Sequence, residues 1–328
     1  MVTSSGASPS APIAPPPPPP PVRRPTPAHY AEYGALRTLI GALGRVPRGA
    51  ALRAGAALGG LGYRPLGIRR EVVERQIAAA FPHIDDAEVR RIARASFAHL
   101  GRMAVETALL SRIGPTEVLD RFEAVEGWDV IERLLAEGRG LIAVTGHLGN
   151  WELGGAYVAA RGIPLDVVVR RMGNPLFDRF ITRTRSRLGL TVVWDRDSVR
   201  RTPRVLRANG MVAFVVDQAG LNLASTFVPF FGRPAKTPRG PAVFALRLGA
   251  PVVFGVALRQ PSGRYRLSFE EIPIPATGDR ERDVDEVVAR YTRVLETWVR
   301  RAPEQYFWHH RRWKQQPADT PPEMRDPA

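Results

Sequence analysis

The 328-residue sequence contains no cysteine. That absence excludes disulfides, thiolate metal sites and a cysteine nucleophile, and it suits a reducing compartment. A secretory start is also lacking, because no basic stretch is followed by an apolar run at the beginning of the chain. No run of 18 apolar residues occurs, so no transmembrane helix is expected. The nearest candidate, residues 30–63, is interrupted by Arg37, Arg45, Arg48 and Arg53 and split by Pro47. Acidic residues are in deficit, 32 against 47 basic ones, which leaves a formal charge of +15 carried mostly by arginine. Such a surface attracts polyanions: nucleic acid, anionic lipid, phosphorylated substrates or acidic carrier proteins. Charge alone does not choose among them.

Residues 1–27 contain "APPPPPPPVRRPTP" and have no means of building a core, so they are expected to be disordered, as are residues 317–328. Residues 28–316 read as one domain. Its first part, 28–68, is rich in Ala, Gly and Leu and reads as membrane-associating helices lying on a bilayer surface. Two core helices fit the same pattern. Residues 85–111 and 284–299 carry helical apolar stripes, with Asp85 and Asp283 as expected N-caps. Between them, "GLIAV", "LDVVV", "LTVVW", "MVAFVV" and "PVVFGVAL" alternate with helical stretches at 127–138, 151–161, 175–188, 198–209 and 239–248. "RYRLSFEEI" alternates like a half-exposed strand. The fold class is therefore α/β, a largely parallel central sheet flanked by helices. Active sites in such sheets gather beyond the carboxyl ends of the strands.

"GLIAVTGHLGNWELGG" places His147 at such an end. Gly146 and Gly149 permit a tight turn, and Asn150 is a good N-cap for a helix starting at Trp151. Glu152 then falls in the first helical turn, where a bend between strand and helix can fold it back onto His147. A carboxylate-oriented imidazole is a general-base arrangement. The motif holds no Ser or Cys nucleophile, so the attacking group is expected to be a substrate hydroxyl. Free N–H groups at the helix start can stabilise developing negative charge. One His and one Glu are too few ligands for a metal site.

"GHLGNWE" resembles the H-x4-D/E signature of the lysophospholipid (glycerolipid) acyltransferase superfamily. Within it, the sequence most resembles the late lipid A acyltransferases, the lauroyl/myristoyl transferase family. "RRMGNPLFDRFITRTRSRLG", "VDQAG", "FVPFFGRPAKTPRGPAVFALRLGAPVV" and "PEQYFWHHRRWK" are similar to further blocks of that family. The resemblance covers most of the chain after residue 65. It implies an acyl chain moved from a thioester, on acyl carrier protein or coenzyme A, to a hydroxyl of a membrane glycolipid at the cytoplasmic face of the inner membrane. No metal or redox cofactor is implied, and no nucleic acid partner. On the matching positions it implies His147 as base and Glu152 as its orienting partner.

Further binding candidates follow the same edge. Gly149, Asn150 and Trp151 belong to the motif. Arg170 can hold a phosphate or support a thioester oxygen. Asn174 is an N-cap or a site residue, Asp217 and Gln218 can bind acceptor hydroxyls, and Thr237 matches a family block. Arg179, Arg183 and Arg187 share one helix face that could dock an acidic carrier or anionic lipid. "QYFWHHRRWK" fits a nucleic-acid surface, a membrane interface or a brace for the active site. The rival readings are an acyltransferase acting on a lysophospholipid, aminolipid or glycosylated phosphoinositide, and a nonenzymatic basic protein that binds membrane or RNA.

Overall fold

The computed structural model describes residues 24–218 and 224–328. Most of the polyproline stretch lies outside the described residues. Helices α1 (Pro27–Leu43), α2 (Arg48–Tyr63), α3 (Arg70–Ala80), α4 (Asp86–Leu109) and α5 (Pro115–Leu119) come first. Next come β1 (Phe122–Glu126), α6 (Trp128–Ala136), β2 (Leu141–Thr145), α7 (Trp151–Ala160), β3 (Leu165–Val169), α8 (Pro175–Arg187), β4 (Leu190–Trp194), α9 (Ser198–Arg207) and β5 (Met211–Val215). The remainder is β6 (Ser225–Phe230), β7 (Arg233–Pro238), α10 (Gly240–Leu248), β8 (Val252–Arg259), β9 (Tyr265–Ile272) and α11 (Arg280–Arg301).

Seven strands form the main sheet in the order β1-β9-β8-β2-β5-β3-β4. All neighbours are parallel except β8 and β9. The α/β expectation therefore holds. Each strand alternates its side chains between two apolar layers. Ile142 and Val144 face the layer containing α10 and α11, while Leu141 and Ala143 face the layer containing α7. The chain leaves β2 through α7 towards β3, and leaves β5 through α10 towards β8. Because β2 and β5 are neighbours departing in opposite directions, their carboxyl ends form a topological switch point, where a crevice opens.

The N-terminal segment divides at Pro47 as its sequence suggests. Helix α2 packs on α4 through backbone-to-backbone contact. A Cβ on Gly59 would lie 2.0 Å from the Phe97 carbonyl oxygen, and one on Gly101 would lie 2.0 Å from that of Gly55. Gly55, Gly59 and Gly101 thus serve a helix crossing. No helix among the described residues is long and apolar enough to cross a membrane.

Two expectations are corrected. Helix α11 is capped by Asp279, whose carboxylate accepts from the N–H groups of Glu281 and Arg282. Asp283 lies one turn further in and accepts from the backbone N–H and hydroxyl of Thr277. Residues 317–328, expected to be disordered, fold back on the domain: Thr320 is buried, and Arg311 pairs with Asp326 at 2.6 Å.

Candidate active site

The parallel register between β2 and β5 builds the site. Thr145 stands opposite Val215, and the Val216 N–H donates to the Thr145 carbonyl at 2.8 Å. Two residues beyond each of the paired positions are His147 and Asp217. The His147 Nδ1 lies 2.7 Å from Asp217 Oδ1, and the His147 backbone N–H donates to Oδ2 at 2.9 Å. A carboxylate at Nδ1 fixes the proton there in the neutral ring, leaving the Nε2 lone pair free. Nε2 makes no hydrogen bond among the described residues.

Burial lowers the imidazole pKa, but the charge and hydrogen bond of Asp217 outweigh it, with Glu152 adding, so the net direction is upward. Burial likewise raises the Asp217 pKa. The opposing interactions with His147, and the nearby Arg312 cation, carry it below its ordinary value. Tyr306 is pushed well above its ordinary value by burial and by the Asp217 charge, so its phenol stays protonated beside the carboxylate.

Beside the ring opens a cavity of about 470 Å³, within the range of small-molecule sites. His147, Trp151, Glu152, Arg170, Arg185 and Gln218 form its polar mouth. Its body is apolar and runs between α7 and the sheet, where Gly154 and Gly155 turn no side chain inward. A Cβ on Gly155 would sit 3.5 Å from Leu190 Cδ2 and 3.9 Å from Leu165 Cδ2.

The expected pairing of His147 with Glu152 is corrected. Glu152 is gripped by Arg185, with Nε to Oε2 at 2.9 Å and a second bond from the same guanidinium to Oε1. Burial lowers the Arg185 pKa, yet Glu152 outweighs it and the cation is held. Glu152 lines the same cavity as His147 and acts on its ring by charge, with no hydrogen bond or ion pair between them among the described residues. Asp217 is correspondingly unavailable to acceptor hydroxyls, because it is 2% exposed and occupied by His147.

Trp151 packs edge-on against the His147 ring with centroids 4.7 Å apart, and Arg170 and Gln218 line the mouth. Arg170 is 60% exposed and lies 3.6 Å from Asp195. Four other candidates point away from the cavity. Gly149, at φ +63°, brings its backbone against β8, and its N–H donates to the Gln305 carbonyl. Asn150 is fully buried, caps α7 through the Leu153 N–H at 3.0 Å, and donates to Glu106. Asn174 caps α8 and donates to Glu32 at 2.8 Å, which fastens α1. Thr237 is fully buried between the Ala235 carbonyl and the Arg312 guanidinium. Asn150, Asn174 and Thr237 thus spend their side-chain polar groups on partners within the fold.

A Cβ on Gly149 would lie 2.0 Å from the Ala257 carbonyl oxygen, in a backbone conformation that L side chains rarely adopt. Gly149→Ala is therefore expected to destabilise the protein by about 1–3 kcal/mol, read as an earlier denaturant midpoint.

The closing aromatic block proves to be a brace. Trp308 and Trp313 are fully buried, and Tyr306 and Arg312 nearly so. The Phe307 N–H donates to the His147 carbonyl at 2.9 Å, and Tyr306 bridges Leu148. In β6 and the turn that follows it, Phe230 and Phe231 are likewise core residues, while Phe227 is exposed.

A sequence model of the family described as bacterial lipid A biosynthesis acyltransferase matches residues 29–315. The chain belongs to this family. The lipid A biosynthesis lauroyltransferase of Escherichia coli (strain K12) is 30% identical over 271 residues, 82% of this chain and 87% of that protein. The lipid A biosynthesis palmitoleoyltransferase of the same organism is 29% identical over 257 residues, 77% of this chain and 82% of that protein. A phosphatidylinositol mannoside acyltransferase of Mycobacterium tuberculosis (strain ATCC 25618 / H37Rv) is 31% identical over 140 residues, 41% of this chain and 43% of that protein. Membership places the described cavity and its histidine in an acyltransferase of lipid A biosynthesis.

Proposed function

We propose that the protein transfers a fatty acyl chain from an acyl thioester to a hydroxyl of a lipid A precursor, with His147 as general base. The observation that carries this reading is a histidine held at Nδ1 by a buried carboxylate, with its ring at the mouth of an apolar cavity. The acceptor oxygen attacks the thioester carbonyl carbon while Nε2 takes its proton. The tetrahedral intermediate collapses with cleavage of the C–S bond, and the imidazolium returns the proton to the departing thiolate. An ester and a free thiol result. Asp217 orients the ring and stabilises the imidazolium. Glu152 adds a second negative charge, held in place by Arg185. Arg170 and the start of α7 supply positive potential for the developing oxyanion.

The donor is an acyl carrier protein or coenzyme A thioester, and the scheme invokes no metal or redox cofactor. The exposed Arg179, Arg183 and Arg187 face of α8 suits an acidic carrier. Leu58, Leu61, Leu66 and Ile68 are exposed at the end of α2 and the turn beyond it. In so basic a chain this apolar patch supports peripheral attachment to the anionic cytoplasmic face of the inner membrane.

The test is acyl transfer by the purified protein with thioesters of about ten to sixteen carbons, the product weighed by mass spectrometry; each methylene buried is worth about 0.8 kcal/mol. A lipid A precursor should gain one acyl ester. Gly155→Leu, which fills the space beneath α7, should shift the preference to shorter chains. An ester formed only on a lysophospholipid or a mannosylated phosphoinositide would overturn the acceptor assignment.

A further inference from the structure

We propose that a second cavity binds an anionic amphiphile, a negatively charged headgroup on an alkyl chain, through Arg112 and Arg121. This cavity, of about 180 Å³, lies between the α1–α2 turn, the end of α4 and the first turn of α7. It shares no lining residue with the cavity at His147. Leu43, Val46, Leu109 and Ile113 form its apolar wall, and Arg48, Arg112 and Arg121 bring three cations to it. Glu106, the one carboxylate lining it among the described residues, is already occupied: Arg48 Nη2 donates to Oε1 at 2.6 Å, and Arg259, Tyr265 and Asn150 donate to Oε2.

Arg112 and Arg121 are different. Neither guanidinium forms a hydrogen bond or ion pair among the described residues. Arg121 is partly buried. That burial lowers its pKa, repulsion from Arg48 adds to the effect, and Glu106, Glu117 and Asp120 offset only part of it. Cations drawn out of water are ordinarily paired, and the exposed Arg112 lines the same cavity beside it. An oxyanion placed between these two would complete them, since planar guanidinium donors fit phosphate and carboxylate geometry. The apolar wall, and Val46, which is 44% exposed at the rim, favour an anion that carries a hydrocarbon chain over a free one. Gly44 belongs to the design of the site. The Arg112 guanidinium lies over it, 1.8 Å from where a Cβ would stand, so a side chain there displaces Arg112 without backbone strain.

Calorimetric titration of the full chain tests this without any acyl transfer, so its outcome is separate from that of the proposed reaction. The probes are dihexanoyl phosphatidate, the matching phosphatidylcholine and inorganic phosphate. Phosphatidate should bind saturably and more tightly than the other two. The R112Q/R121Q protein should bind it about tenfold more weakly or worse, as loss of charge-assisted hydrogen bonds predicts. G44V should weaken binding similarly with every charge retained. Unchanged affinity in both variants would overturn the proposal, as would inorganic phosphate binding as tightly as phosphatidate.

Discussion

Replacing His147 with alanine is expected to lower acyl-transfer turnover by about two to four orders of magnitude, the usual worth of a positioned general base. The loss should fall on kcat, because the ring stands at the mouth of the cavity, where it would take the proton, while the apolar body would hold the acyl chain. Alanine also strands Asp217, a 2% exposed carboxylate, without its main partner. A buried charge left unpaired destabilises the fold. His147→Asn separates the two effects. Its side-chain amide can still donate to Asp217 where Nδ1 does, yet it offers no basic nitrogen. The asparagine protein should retain more of its thermal stability than the alanine protein and be just as inactive. Near-normal turnover in either variant would remove His147 from the reaction.

Asp217→Asn should be comparably damaging, at about two to four orders of magnitude, because an amide cannot stabilise the imidazolium and permits the wrong tautomer. It also moves the pH dependence in a defined direction. The active form of the base is the neutral ring, so kcat/KM rises as pH climbs through the His147 pKa. In the native protein that pKa is raised above the ordinary imidazole value, because the Asp217 charge and hydrogen bond overcome burial. Without that carboxylate only the more distant Glu152 charge opposes burial, so the acid limb should shift to lower pH. Stability follows the same linkage. The raised imidazole contributes stability that is fully present below its unfolded value and is lost as pH rises through the folded one. The depressed carboxyl contributes stability above its unfolded value, lost as pH falls through the folded one. The pair is therefore most stabilising between the two unfolded values, and Asp217→Asn should cost most in that window. By contrast, Glu152→Gln should leave the acid limb closer to native, because Glu152 acts on the ring only at a distance.

The fold was legible where hydrophobic period and length agreed. "LDVVV" and "LTVVW" coincide with β3 and β4, residue for residue. The α7 start at Trp151 follows from Asn150, whose side chain caps it as its residue type suggests. His147 was legible for the same reason, as a polar residue in a glycine turn beyond an apolar strand. Its partner was not. Glu152 is five residues away along the chain, whereas Asp217 is seventy, and only the pairing of Thr145 with Val215 brings the latter level with the ring. Register between distant parallel strands leaves no local mark in a sequence. Each of "VTGH" and "VVDQ" announces a strand end, and the contact lies in their combination.

The polar residues around the motif were misread for a related reason. Asn174 and Thr237 are types that bind ligands or satisfy backbone equally well, and their burial decides the matter in favour of the second. "QYFWHHRRWK" carries both aromatics and cations, a composition shared by membrane surfaces, nucleic-acid surfaces and cores. Trp308 and Trp313 turn inward, and Arg312 finds Thr237 and the Lys236 carbonyl, so the segment becomes a brace behind the histidine.

The central claim concerns which ring nitrogen carries the proton and how tightly it is held. Nitrogen-15 NMR of the His147 side chain, titrated with pH, reads both at once. The account predicts a midpoint raised above that of an ordinary exposed imidazole and, in the neutral ring, a proton on Nδ1 with Nε2 bare. A neutral ring protonated on Nε2, or a midpoint at or below that of an ordinary imidazole, would contradict it.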